Sequence, residues 1–184
     1  MNLRERLRGA TQCEHIALDA MIGDQNDFAS LSGYAGWLQG MHTFHKAIEA
    51  ALGTQILETY ASLTSVTIRT RLLARDLRDL DIPIVDTHQA QLAVDQPADV
   101  LGILYVAEGA SLGARTLLLK ARALGLSETY GARHLTHAAN DMQTWRAFVT
   151  HLNSFTAMTG DEERITAAAS RTFSVAKAHL SSPL

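Results

Sequence analysis

The chain has 184 residues, 47% of them hydrophobic and 19% charged, with a formal net charge of -3 at pH 7. That balance predicts one globular domain over residues 1–184, long enough for a real core, and it excludes the basic footprint of a nucleic-acid binder. A single cysteine, Cys13, rules out an internal disulfide framework and a cysteine-rich metal site, and no apolar run approaches a membrane span. The N-terminus is charged and lacks an apolar core segment, so no signal peptide is read and a cytoplasmic location is expected.

Strand-like alternation is nearly absent and helical periodicity dominates. A first helix is predicted over 3–21. On it Arg8, Thr11 and His15 recur at three and four residues and share a face. His15 has two readings. It is a partly buried, hydrogen-bonded histidine, or it is a metal ligand whose second ring nitrogen is oriented by Glu14 or a backbone carbonyl. The nearby Arg4, Arg6 and Arg8 read as a solvated face.

A second helix is predicted over 28–53, from Asp27 as cap to Gly53 as stop. Its His42, His45 and Glu49 suit a metal by spacing, but the chain has no Glu-x-x-His pair, so core or interhelical hydrogen bonds are expected of them. A third helix covers 63–80. A linker with Pro83 follows, and 86–93 adds a short turn of helix.

The next helix is predicted to start near Pro97, a first-turn residue, and to run to 124, where Gly125 stops it. It carries Gly102, Gly109 and Gly113, each costing about 1 kcal/mol relative to alanine. Gly109 and Gly113 lie one turn apart on the same face, so that face admits either a partner helix or a flat ligand. Residues 126–138 read as an irregular connection with His134 and His137 solvated. Helices over 139–156 and 161–181 complete an all-α domain.

Two segments resemble heme oxygenases. Leu7-Arg8-Gly-Ala10-Thr11-x-x-x-His15 is similar to the heme-ligand helix of that family. Leu104-Tyr105-Val-Ala-Glu108-Gly109-Ala110-Ser111-Leu112-Gly113 is similar to its distal helix, in the form found in the bacteriophytochrome-associated bacterial branch. Phe44-His45-x-x-Ile48-Glu49, Arg75-Asp76-Leu77-x-x-Leu80, Trp145-x-x-Phe148 and Ala169-x-x-Thr172-Phe173 follow in the family's order, so the resemblance covers nearly the whole chain.

The resemblance implies a multi-helix bundle in which heme lies between the first helix and a kinked, glycine-containing distal helix. It implies cleavage of heme, both cofactor and substrate, to biliverdin, CO and iron, using O2 and an external electron donor, with a bacteriophytochrome as an acceptor for the product. It assigns His15 as iron ligand, and Gly109 and Gly113 as the backbone that approaches the ring. Glu108 and Ser111, with Tyr105 as a weaker candidate, would support ordered water. Arg8 and Arg146 would meet the heme propionates, with Thr11 on the same face as Arg8.

Three departures stand out. Ala110 replaces a frequent acid, Ala114 a frequent glycine, and His134-Leu135 a pair of aromatics. They leave open an altered cleavage edge or a heme carrier with poor turnover. A thiaminase-like or quinone-cofactor enzyme of the same architecture would bind no heme and would leave His15 structural. In an interaction module, the glycines would only close-pack.

Overall fold

A computed structural model of the chain describes residues 2–24, 27–85 and 92–181. The first predicted helix is two. Helix α1 (Leu3–Ala10) is closed at its start by a reciprocal capping box between Asn2 and Glu5. Helix α2 (Gln12–Asp24) follows after a break at Thr11. The Thr11 hydroxyl donates to the Leu7 carbonyl at 2.9 Å, a back-bond of the kind that bends helices.

Helix α3 (Leu31–Thr59) is capped by Ser30 rather than Asp27. Gly53, expected to stop it, takes φ +65° and kinks the chain, which resumes helix to Thr59. Helix α4 (Val66–Asp79) comes next. Residues 86–91, which hold most of the expected short turn, lie outside the described residues.

The predicted helix over 97–124 is also two: α5 (Pro97–Gly109) and α6 (Ala114–Ala123), joined by a 3-10 segment, Ala110–Gly113. Helices α7 (Arg133–Asn140), α8 (Met142–Ser154) and α9 (Asp161–Leu180) complete the chain. Helix α7 corrects the irregular reading of 126–138. Its first amides are capped from a distance: the Arg133 and His134 backbone N–H groups donate to Asp76 on α4, at 3.0 and 2.9 Å.

Helix α5 is buried almost all round, with Ala98, Val100, Leu101, Ile103, Leu104, Val106 and Ala107 in the core, the pattern of a central helix. Helix α9 lies directly against it, and Gly102 marks the crossing. A Cβ there would overlap the Ile165 carbonyl oxygen and sit 2.6 Å from Ala168 Cβ. One apolar core gathers Leu7, Phe44, Ile48, Leu104, Phe148 and Ile165. A second gathers Tyr34, Leu38, Leu73, Leu77, Leu118 and Leu135. Helix α5 belongs to the first and α6 to the second, so the bend at 110–113 carries the chain from one core to the other. No helix among the described residues is long and apolar enough to cross a membrane.

Candidate functional site

The bend between α5 and α6 is built by side chains that take over backbone acceptors. The Ala107 carbonyl accepts from Arg69 Nη1 at 2.7 Å, and the Glu108 carbonyl accepts from Ser111 Oγ at 2.6 Å. Replacing backbone donors in this way lets the helix tighten into a 3-10 turn and change direction. The Glu108 carboxylate in turn pairs with Arg69 and accepts from Thr64 Oγ1 at 2.8 Å and the Ser65 backbone N–H at 3.2 Å. The Arg69 and Glu108 side chains are 4% and 2% exposed, so this is a buried, hydrogen-bonded ion pair.

A cavity of about 600 Å³ opens between α2 and the bend, within the usual size of a small-molecule site. Arg8, Thr11, His15, Tyr105, Gly109 and Gly113 all line it, with apolar walls from Phe44, Val106, Trp145 and Phe173. Three residues singled out from the sequence do not. Glu108 is turned away into its ion pair with Arg69. Ser111 closes the bend and lines a smaller cavity behind it. Arg146 lies on the exposed side of α8, because adjacent helical residues diverge and its neighbour Trp145 takes the inward position. Arg4, read from the sequence as a solvated charge, stands on the cavity wall instead, its guanidinium 5.8 Å from the Trp145 ring centroid.

His15 is not a core histidine: its side chain is 62% exposed, on the cavity. Its Nδ1 stands 3.0 Å from Asp19 Oδ2, one turn further along α2. The Phe173 ring meets the imidazole edge-on at 6.0 Å. Glu14, the orienting carboxylate expected from the sequence, accepts instead from Ser170 Oγ at 2.8 Å, which holds its carboxyl below the usual range. The orienting acid is Asp19, and the i,i+4 spacing was the signal for it. With Nδ1 directed at a carboxylate, Nε2 is the nitrogen left to bind a metal.

The three glycines of the distal segment have different surroundings. Gly102 is filled by α9. A Cβ at Gly109 would come no nearer than 3.9 Å to the Trp145 ring, and one at Gly113 would meet nothing within 4 Å. Gly102 therefore serves helix packing, while Gly109 and Gly113 keep a strip of bare backbone on the cavity. An imidazole, a flat backbone strip, apolar walls and two arginines on one cavity fit the heme that the resemblance implies.

The contrast predicts opposite outcomes for one substitution. Gly102→Ala is expected to cost about 1–3 kcal/mol in urea unfolding, through overpacking against α9. Gly109→Ala, where the backbone is already helical, is expected to gain up to about 1 kcal/mol. The same Gly109→Ala protein should bind hemin more weakly.

The sequence did not reveal a second cavity, of about 30 Å³, behind the bend. His45, Arg69, Ser111 and His134 line it, and Trp37, Met41, Ala110 and Leu117 line both cavities and so form the wall between them. His134, expected to be solvated, is 3% exposed and stands 2.8 Å from Asp76. His137 is half-buried. His42 and His45 are buried in the core, 3% and 1% exposed, as expected of them, and the metal spacing they share with Glu49 is not used. Glu49 pairs with Lys46 at 3.2 Å, and the described residues contain no group of three potential metal ligands.

Burial, with the charge of Arg69 beside it, pushes His45 well below the ordinary histidine range. Burial also lowers His137 and His179. These rings are neutral when folded but protonate in the unfolded chain below about pH 6.5. Stability should therefore fall as pH drops below that point. The contribution of His45 approaches about 1.4 kcal/mol per pH unit. Denaturation midpoints between pH 7.5 and 5.5 check this, and His45→Leu should flatten the slope.

A family model described as heme oxygenase matches residues 1–181. The chain is 32% identical over 169 residues to heme oxygenase PigA of Pseudomonas aeruginosa, covering 90% of this chain and 85% of that protein. It superimposes on the crystal structure of an NO- and CO-bound heme oxygenase from Neisseria meningitidis with a TM-score of 0.84 and 27% identity, over 98% of this chain and 90% of that one.

Proposed function

The chain belongs to the heme oxygenase family, and from that premise we propose that it opens the heme ring to biliverdin, CO and iron, using O2 and electrons from an external donor. The observation that carries this reading is the meeting, on one apolar cavity, of His15 with the bare backbone of Gly109 and Gly113. When bound, heme supplies the iron at which O2 is activated and is itself the molecule oxidised.

The chain's own residues bind, orient and exclude water. His15 would hold the heme iron through Nε2, and Asp19 fixes its ring and raises its basicity by accepting from Nδ1–H. Arg8, joined by Arg4, meets the propionate carboxylates and so sets the rotation of the ring in the cavity. Gly109 and Gly113 keep side chains off their wall of the cavity, so that backbone itself would meet the ring. Tyr105 and Trp145, with ring centroids 6.2 Å apart, complete the wall. Ala110 brings no acid to the cavity, so water for proton supply would be organised by polar groups behind it, Arg69 and His45 among them. The branch-specific form of the distal motif supports a bacteriophytochrome as the biliverdin acceptor, and the single cysteine suits a reducing cytoplasm.

The test is absorption spectroscopy of the purified protein titrated with hemin, then given a reductant in air. A Soret band saturating near one heme per chain, followed by decay to a biliverdin spectrum, is expected. Separation of the products then gives the cleavage edge. Stable binding without ring opening, across several donors, would make the protein a heme carrier. No specific binding would remove both readings.

A further inference from the structure

Helices α4 and α7 hold a buried pair that the reading above leaves without a role. Asp76 is fully buried, and both its carboxylate oxygens accept hydrogen bonds. Oδ1 accepts from the Arg133 backbone N–H at 3.0 Å and from Arg133 Nη1 at 3.2 Å. Oδ2 accepts from the His134 backbone N–H at 2.9 Å and stands 2.8 Å from His134 Nδ1. Burial alone would raise the Asp76 carboxyl, but its bonds to His134 and Arg133 outweigh that and hold it below the usual range. A carboxylate has no proton to donate, so the proton of the Asp76–His134 bond sits on Nδ1. In a neutral ring that makes Nε2 an acceptor.

His134 Nε2 is buried and has no partner within the described protein. Trp37 Nε1, Arg69 Nε and His45 Nδ1 are in the same condition; the first two are obligate donors, and a neutral histidine nitrogen either donates or accepts. All four atoms belong to residues lining the cavity of about 30 Å³ behind Ala110, which is room for one or two waters. Two obligate donors and the His134 acceptor, with His45 Nδ1 beside them, constrain the orientation of a water held in so small a space.

We propose that Asp76 and His134 are positioning residues: Asp76 holds His134 as the Nδ1–H tautomer, and Nε2 is the acceptor that orients water in the second cavity. Such a water accepts from Trp37 or Arg69, donates one hydrogen to His134, and keeps its other hydrogen for the wall at Ala110. The device does from behind the bend what an acidic side chain at position 110 would do within the heme cavity. What the water is for rests on the heme oxygenase reading; the tautomer does not.

Long-range proton–nitrogen NMR of the hemin-free, histidine-labelled protein tests it directly, with His134 assigned by the signals lost in His134→Asn. Protonated Nδ1 with bare Nε2 at neutral pH is the expected result. An Nε2–H tautomer or a doubly protonated ring would overturn the proposal. In the hemin-loaded protein, His134→Phe should lower kcat about tenfold, leave hemin affinity within about twofold, and enlarge the solvent deuterium isotope effect. An unchanged kcat and isotope effect would also overturn it. If His134→Phe does not fold, the tautomer of the unaltered protein still decides. Failure of the unaltered protein to bind hemin or open its ring is a separate result, which removes the heme oxygenase reading.

Discussion

His15→Ala is expected to reduce ring opening at least about a hundredfold, since changes to groups that merely orient a ligand already cost ten- to hundredfold. Folding should be unaffected. The side chain is 62% exposed, paired with Asp19 and edge-on to Phe173, so the change in stability should stay within about 0.5 kcal/mol. The measurement is a hemin titration followed by absorption, where loss of the axial imidazole shifts the Soret band. Imidazole added to the solution should restore part of the original spectrum, because the cavity at His15 is open. Among the residues lining that cavity no other histidine is present. An unchanged spectrum would thus mean that hemin binds elsewhere. Asp19→Asn should fall between the two, keeping the ligand while weakening its basicity.

The largest loss of stability is expected from Glu108→Ala. It would leave the Arg69 guanidinium, 4% exposed, without its carboxylate, together with the Thr64 and Ser65 donors that Glu108 now satisfies. Removing one member of a buried, hydrogen-bonded pair typically costs about 3–5 kcal/mol. Urea unfolding gives the number directly. The double change Arg69→Met with Glu108→Leu should cost less than Glu108→Ala alone, because no charge is then stranded. Both proteins should lose hemin affinity, since Arg69 holds the Ala107 carbonyl at the bend that presents Gly109 and Gly113.

The sites of these two predictions were not equally visible in the chain. His15 is marked by its spacing to Arg8 and Thr11, and Asp19 lies one turn away, so the proposed ligand and its orienting acid are local to a single helix. Glu108 is adjacent to Gly109 in the motif and reads as a cavity residue. It is instead committed to Thr64, Ser65 and Arg69, some forty residues earlier. His134 likewise reads as solvated because its partner, Asp76, is 58 residues away.

What the sequence by itself determined is therefore what a few neighbouring residues can encode: the helical class, the start at Pro97, the stop at Gly125 with its φ of +85°, and the shared face of Arg8, Thr11 and His15. These follow from 3.6-residue periodicity and local capping, which act within a turn or two. The tertiary structure alone decided where the long helices break, which of three glycines packs and which two remain open, and which buried charges meet. Gly102 and Gly109 are chemically identical. Only the position of α9, laid against one and not the other, separates a packing contact from an open cavity wall.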